Sequence, residues 1–359
     1  MRDKGRPTNG FRSRADGGAR PFRPTRGSSD PGRRDADVIC CGMYRACSTW
    51  QYEVIAHLLE RHRDGRRLGY LTGEQYHELV RAPTGSSART GWRAFKSHEG
   101  DRGFARALAT GRAVAVYAYR DVRDVVFSLM HKRGLTFEQL LRQGMIHQVL
   151  ANDRFWTHQS NVLIQRYEEI LADPAGSVRA LADHLGIALD ENEAARIADE
   201  YSLESNKART EALRRSLEQA GMDLKTAANA QICDSNTLLH WNHVRNGGST
   251  WFAEATPRQR RVLQRLCGRW LRSRDYALRP AGADPRGLDD PLFSARDLFR
   301  MEADLLVGWW NYQVRNASQR FPRLAVAVKR LLRIPTPTQV GATVWSESKA
   351  ESRVNSSAR

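Results

Sequence analysis

The sequence predicts an α/β protein with a three-layer α/β/α architecture, a central, mostly parallel sheet covered by helices on both faces. Three observations carry that prediction. Short apolar, β-branched runs at Asp37–Cys40, Ala113–Tyr119 and Asn161–Tyr167 alternate with stretches of helical periodicity. The run Ala113–Tyr119 is continuously apolar, as expected of a strand buried on both faces of a parallel sheet. Arg45, His98 and Arg120 all fall just after strands, at the carboxyl ends where open α/β sheets hold their ligands.

Residues 1–35, rich in Arg, Gly, Pro, Ser and Asp, read as a disordered basic arm. The α/β domain is expected over 36–290. After the first strand, Trp50, Val54, Ile55, Leu58 and Leu59 recur at helical spacing, so a helix begins near Ser48 or Thr49. Residues 63–91 are polar and Gly-rich and read as surface, with a short helix around Gly73–Val80. Trp92–His98 alternates as a strand ending in Lys96 and His98, and Phe104–Ala109 reads as a short helix. Asp121 is the expected N-cap of a helix that puts Val122, Val125, Val126, Leu129 and Met130 on one face. Residues 137–159 suit one longer helix, and a further helix runs from Pro174 to about Leu185. Residues 190–232 are mostly helical, Trp241–Trp251 is a Gly-rich basic loop, and a helix from Pro257 to about Leu271 closes the domain before a linker at 279–290. A helical extension is expected over 291–334. Its first helix carries Leu298, Met301, Leu305, Trp309 and Tyr312. Its second opens with Pro322 and sets Leu324, Val328, Leu331 and Leu332 beside Lys329, Arg330 and Arg333. Residues 335–359 read as a disordered tail.

Charge is unevenly placed. The net charge is +17, of which residues 1–35 and residues 291–359 each carry +6, leaving +5 for the part between. The high positive charge is therefore a property of the ends and does not point to a specific nucleic-acid partner. The basic amphipathic helix at 322–333 suits either peripheral contact with an anionic membrane or packing on the domain or a second copy. Five cysteines without CxxC or zinc spacing, two of them adjacent in a strand, read as buried thiols, not as a disulfide framework. With no apolar leader in residues 1–35 and no run of about 18 apolar residues, the expected location is cytoplasmic.

The stretch Ile39–Trp50 joins a strand, a tight turn and a helix start that carries Arg45, Ser48 and Thr49. Free N–H groups at a helix start favour a phosphate or sulfate there, and Arg45 adds a forked positive charge. GxxxxGK[ST] is absent, so this is not a Walker A loop. An ordinary β–turn–α connection with polar caps fits the same residues.

Four features stand in order along the chain: Tyr44-Arg45-Ala46-Cys47-Ser48-Thr49-Trp50, then Lys96-Ser97-His98, then Tyr119-Arg120-Asp121 through Ser128, then Arg245-Asn246-Gly247-Gly248. Together they resemble the sulfotransferases that use 3′-phosphoadenylyl sulfate (PAPS), over roughly residues 36–275. The resemblance implies a P-loop-NTPase-like sulfotransferase fold and transfer of a sulfuryl group from PAPS, leaving the product PAP, to a hydroxyl or amine acceptor. It makes Tyr44–Thr49 the 5′-phosphosulfate loop, with Arg45 its basic residue, Ala46 and Cys47 its turn, and Ser48 and Thr49 its hydroxyl pair. Trp50 matches an adenine-stacking tryptophan, Arg120 and Ser128 the pair that grips the 3′-phosphate, and Arg245 with Gly247 a late loop closing over it. Lys96 and His98 match a Lys-x-His whose histidine is the general base, and no metal is implied. Tyr167-Glu168-Glu169 resembles a structural Tyr-Glu-Asp. Cys47 stands where the family usually has Gly, Tyr44 replaces Pro, Ala46 lacks a hydroxyl, and Asn246 replaces Lys.

On the residues alone, Trp50 suits the core as well as an adenine platform, and Glu99 competes with His98 as base. Lys132, Arg133 and Arg142 suit an acidic acceptor such as a glycan, or simply a solvated helix face. A small-molecule or glycan acceptor is expected. A kinase on a related sheet, or a non-catalytic PAP or anion binder, are the competing functions. The kinase would need a Walker lysine and a strand-end carboxylate for Mg²⁺.

Overall fold

Strand β1 (Asp37–Gly42) is buried along its whole length at the centre of a five-stranded sheet. The structure, a computed structural model, describes residues 35–81, 91–226, 229, 232–242, 249–278, 295–321 and 344–345. The sheet order is β2-β3-β1-β4-β5 and every pairing is parallel, with β2 at Arg66–Tyr70, β3 at Arg93–Lys96, β4 at Ala113–Tyr119 and β5 at Val162–Arg166. Helix α1 (Ser48–His62) leads from β1 to the β2 edge, whereas β4 and β5 lie on the other side of β1. The carboxyl end of β1 is thus a switch point, where loops leave the sheet in opposite directions and a crevice opens.

Helices α2 (Gly73–Arg81), α3 (Arg102–Ala109), α4 (Val122–Arg133), α5 (Phe137–Arg142) and α6 (Met145–Thr157) precede β5. After it come α7 (Tyr167–Ala172), α8 (Pro174–His184), α9 (Glu191–Glu200), α10 (Leu203–Gln219), α11 (Trp251–Glu254) and α12 (Pro257–Ser273). The long α13 (Ala295–Arg320) lies across α5 and α6. Polar ties fix the sheet as well as apolar packing. Asp37 accepts from Arg93 Nε at 2.7 Å and Tyr76 Oη at 2.9 Å, so its buried carboxylate is both paired and hydrogen-bonded. Gln51 Nε2 donates to Gln165 Oε1 at 2.8 Å, joining α1 to β5.

Asp121 caps α4 as its sequence position predicts, accepting from the backbone N–H of Arg123 at 2.9 Å. The cysteines Cys40, Cys41, Cys233 and Cys267 are buried free thiols, and Cys47 is half-buried and free. Two readings change. The segment 63–91, expected as surface, contributes edge strand β2, whose Arg-Arg-Leu-Gly-Tyr is only half-buried and so lacks an apolar signature. The single helix expected over 137–159 is two, because Gly144 takes a left-handed φ of 69° between α5 and α6. His147 of α6 is half-buried and stacks on Tyr312 of α13, ring centroids 6.2 Å apart.

α13 is seated by ion pairs and by a close backbone approach. Asp304 is buried and accepts from Arg142 Nε at 2.8 Å and an Arg258 terminal nitrogen at 3.1 Å. A β-carbon at Gly308 would come within 2.3 Å of the Leu141 carbonyl oxygen, so only glycine lets the helices meet there. No described helix is long and apolar enough to cross a membrane. The arm before residue 35, the linker and the helix expected at 322–333 lie outside the described residues, as does the tail apart from 344–345.

Candidate active site

The loop Met43–Cys47 owes its path to the residues on either side of it. Gly42 closes β1 where a β-carbon would sit 2.8 Å from the Ala118 carbonyl oxygen, so β4 can run this close only beside glycine. Met43 N–H then donates to that same carbonyl at 2.9 Å, and the chain turns away from the sheet. Arg45 and Cys47 both take φ 67°, the left-handed region that favours glycine. Each such residue costs about 1–2 kcal/mol relative to ordinary backbone. Cys47 is the N-cap of α1 and makes no side-chain cap bond. Burial pushes its thiol up to about 12, so it stays protonated at neutral pH and is no nucleophile. One outcome follows directly. Cys47→Gly folds about 1 kcal/mol more stably than Cys47→Ala, because both lose the thiol and only glycine relieves the left-handed strain. Urea denaturation of the two variants measures the difference, and equal midpoints at equal slope would contradict it.

One cleft of about 660 Å³ gathers Arg45, Ala46, Cys47, Ser48, Thr49 and Trp50 from the loop and α1, Arg120 from the end of β4, and Ser128 from α4. Tyr201 and Asn206 from the α9–α10 region form part of its far wall. Trp50 is only 9% exposed yet lines the cleft. The Arg120 guanidinium stacks 4.3 Å from the Tyr167 ring centroid and lies 3.8 Å from Asp124. Asp124 in turn accepts from the N–H groups of Thr250 at 3.1 Å and Trp251 at 3.3 Å, anchoring the end of the Gly-rich basic loop. Ser128 Oγ accepts from Arg45 Nε at 2.9 Å. The serine that the sequence paired with Arg120 therefore also holds the loop arginine. Arg245 and Gly247 lie outside the described residues.

Beside the loop lies a second group. Lys96 Nζ donates to Thr49 Oγ1 at 2.5 Å, linking β3 to the start of α1. Burial, against the opposing effect of Cys233 and with a smaller contribution from Arg45, lowers this lysine to about 8. His98 Nδ1 lies 2.9 Å from the Gly42 carbonyl, which can only accept, so Nδ1 carries the proton and Nε2 the lone pair. Burial, then the charge of Lys96, pushes His98 down to about 3, and the neutral ring is the form present near pH 7. The Tyr44 ring packs 4.7 Å from the imidazole, Tyr70 lies at 6.2 Å, and Trp156 Nε1 donates to the His98 carbonyl at 3.1 Å. Glu99, the competing base, is exposed.

Residues 35–273 match a family model described as a sulfotransferase domain. The chain belongs to the sulfotransferase family. Among solved structures, mouse sulfotransferase SULT7A1 complexed with PAP is similar, with 20% identity and a TM-score of 0.47 over 68% of this chain and 86% of that one. Retinol dehydratase in a complex with retinol and PAP shows 17% identity and a TM-score of 0.47, covering 68% of this chain and 83% of that one. No curated protein sequence matches.

In this sulfotransferase the eight predicted cofactor residues that fall among the described residues all line one cleft. Lys96 and His98 do not line it but stand behind the loop, one touching Thr49 and the other Gly42. Sequence reading missed His240, which burial and the charges of Lys132, Lys96 and Arg45 push down to about 3. It also missed the wall from Tyr201 to Asn206. Neither carries a local signal, for each comes from a segment more than 100 residues beyond the loop. Of the three basic residues tied to an acidic acceptor, Arg142 is paired with Asp304, Arg133 is exposed, and Lys132 is half-buried.

Proposed function

We propose that this sulfotransferase moves a sulfuryl group from PAPS to a hydroxyl or amine of a small-molecule or glycan acceptor by in-line displacement. The observation that most supports this reading is the meeting of Arg45, Ser48, Thr49, Arg120 and Ser128 in one cleft at the switch point of the sheet. Sulfuryl transfer, like phosphoryl transfer, draws most of its catalysis from positioning and electrostatics. Arg120 and Ser128 suit the 3′-phosphate, and two sides of Trp50 are served at once, core and adenine. The start of α1 with Ser48 and Thr49 suits the 5′-phosphosulfate oxygens. Arg45 neutralises charge that develops on the departing phosphate oxygen. Lys96 fixes the Thr49 hydroxyl, and His98 Nε2 takes the acceptor proton.

The kinase reading has less support. Asp121, the acid that follows β4, is held by Arg123 through Nε at 2.9 Å and a terminal nitrogen at 2.6 Å while it caps α4. That leaves it committed within the fold, where a kinase would turn a strand-end carboxylate toward Mg²⁺.

Thermal denaturation of the full chain with PAP, ATP with Mg²⁺, ADP and AMP tests the donor. PAP is expected to raise Tm by several degrees at 100 times its Kd, since binding then adds about 2.7 kcal/mol. Arg120→Ala should abolish that rise. An equal or larger rise with ATP and Mg²⁺ would favour the kinase, and binding of PAPS without its consumption in an acceptor screen would favour a non-catalytic binder.

A further inference from the structure

Helix α13 has two apolar faces, and only one of them is covered. Met301, Leu305 and Gly308 face the protein and are buried. On the opposite side Phe299, Ala303, Leu306, Trp310, Val314 and Ala317 follow one another at steps of three and four, which aligns them in one stripe. All six are exposed, Phe299 by 76%, Leu306 by 65% and Trp310 by 61%, and no charged residue interrupts them. The stripe bares on the order of 500 Å², since an aromatic side chain offers about 150–250 Å² and an aliphatic one somewhat less. Patches of that size on a monomer are commonly functional. It falls short of the roughly 800 Å² that each partner of a stable dimer buries.

Charge decides what covers it. Helix α12 carries six arginines and no acid. Its Arg265 reaches Glu302 of α13 at 2.8 Å, and Glu302 stands one turn before Leu306, at the border of the stripe. Arg269 and Arg272 continue the face of α12 that Arg265 occupies. Both are exposed, and neither is paired with an acid among the described residues. Arg296 and Arg300, also exposed, lie beside Phe299. The acid at the border of the stripe is thus neutralised, and the arginines around it are not.

A second copy docked on this face would bring these arginines toward their own counterparts across a two-fold axis. An anionic lipid surface takes both parts at once. Apolar side chains sink into the headgroup boundary while guanidinium groups meet lipid phosphates and carboxylates. We infer that the outer face of α13 and the arginine face of α12 seat this sulfotransferase on an anionic membrane surface, as a peripheral contact.

Co-sedimentation of the full-length protein with vesicles tests the contact, using phosphatidylcholine alone and phosphatidylcholine mixed with phosphatidylserine. The protein should bind the mixed vesicles and leave the neutral ones. Leu306→Gln together with Trp310→Gln should weaken that binding at least about tenfold, and Leu306→Met with Trp310→Phe should retain it. Arg269→Gln with Arg272→Gln should weaken it on the order of tenfold at low salt. That difference should vanish in about 1 M salt, where charges are screened within about 3 Å. All four positions are exposed, and thermal denaturation confirms that each variant is folded. Binding that survives the loss of Leu306 and Trp310 would move the contact elsewhere in the chain and overturn this one, as would no binding to the mixed vesicles. Equal binding to both vesicle types would overturn the anionic surface. A dimer in sedimentation velocity that Leu306→Gln with Trp310→Gln dissociates would give the stripe to a second copy instead.

Discussion

Arg45→Ala should lower sulfuryl transfer from PAPS by roughly 10³-fold while weakening PAP by only about tenfold. The difference between the two numbers is the argument. PAP presents the same phosphates in the ground state, so whatever Arg45 contributes to both ligands is uniform binding. The remaining factor of about 100, near 2.7 kcal/mol, reports charge that exists only as the bridging oxygen departs. Alanine is the informative substitution because it keeps the β-carbon and leaves the left-handed backbone at φ 67° as it is. The loss then reads on the guanidinium and its bond to Ser128 Oγ, not on the loop. Arg45→Lys should fall between, since a point charge cannot both reach Ser128 through a fixed Nε and turn its fork to an oxyanion. Single-turnover transfer and PAP titration on one preparation give both numbers. A loss equal in transfer and in PAP affinity would remove Arg45 from the transition state and leave it a phosphate anchor.

The parts of this molecule legible in its sequence are those whose signal is local. β4 announces itself by seven consecutive residues suited to burial on both faces, and Asp121 by its place one residue ahead of a helical apolar stripe. The loop from Arg45 to Trp50 is legible because strand, turn and helix start are contiguous. Strand β2 is not, since a half-buried strand at the sheet edge needs no apolar run. The split between α5 and α6 was hidden for a different reason. Gly144 reads as a tolerated glycine in a helical pattern, and only the approach of Gly308 from α13 explains why the backbone turns there. The site was legible as a set of residue types and illegible as a set of contacts. Ser128 meets Arg45 across 83 residues and Lys96 meets Thr49 across 47, and no local pattern encodes either meeting. Cys47 shows the limit most sharply. Its position demands a glycine-like φ, as the resemblance implies, and the chain adopts that φ with a side chain attached.

His98→Gln should cost between about 10² and 10⁴ in transfer with PAP affinity unchanged, the range of a lost general base. Glutamine keeps a donor for the Gly42 carbonyl and removes the Nε2 lone pair, so geometry survives and basicity does not. Glu99→Gln, at an exposed position, should leave transfer within about twofold. The pH profile adds a sharper reading. With His98 near 3 in the free protein, kcat/KM should show no inflection from a base between pH 5 and 7, because that ratio reports the free enzyme. The base is active when deprotonated, so its acid limb falls as pH drops through its own value. Binding of a polyanionic donor offsets the charges of Lys96, Lys132 and Arg133 that help depress the ring, and the limb in kcat should move up from 3 toward neutrality. Stability carries the same sign. The unfolded histidine binds a proton below about 6.5 and the folded one does not, so stability is full above about 6.5 and drains away as pH falls toward 3. His98→Gln should shed its share of that acid sensitivity along with the activity. An inflection near 6.5 in kcat/KM that survives the substitution would belong to another group and take the proton-transfer role away from His98.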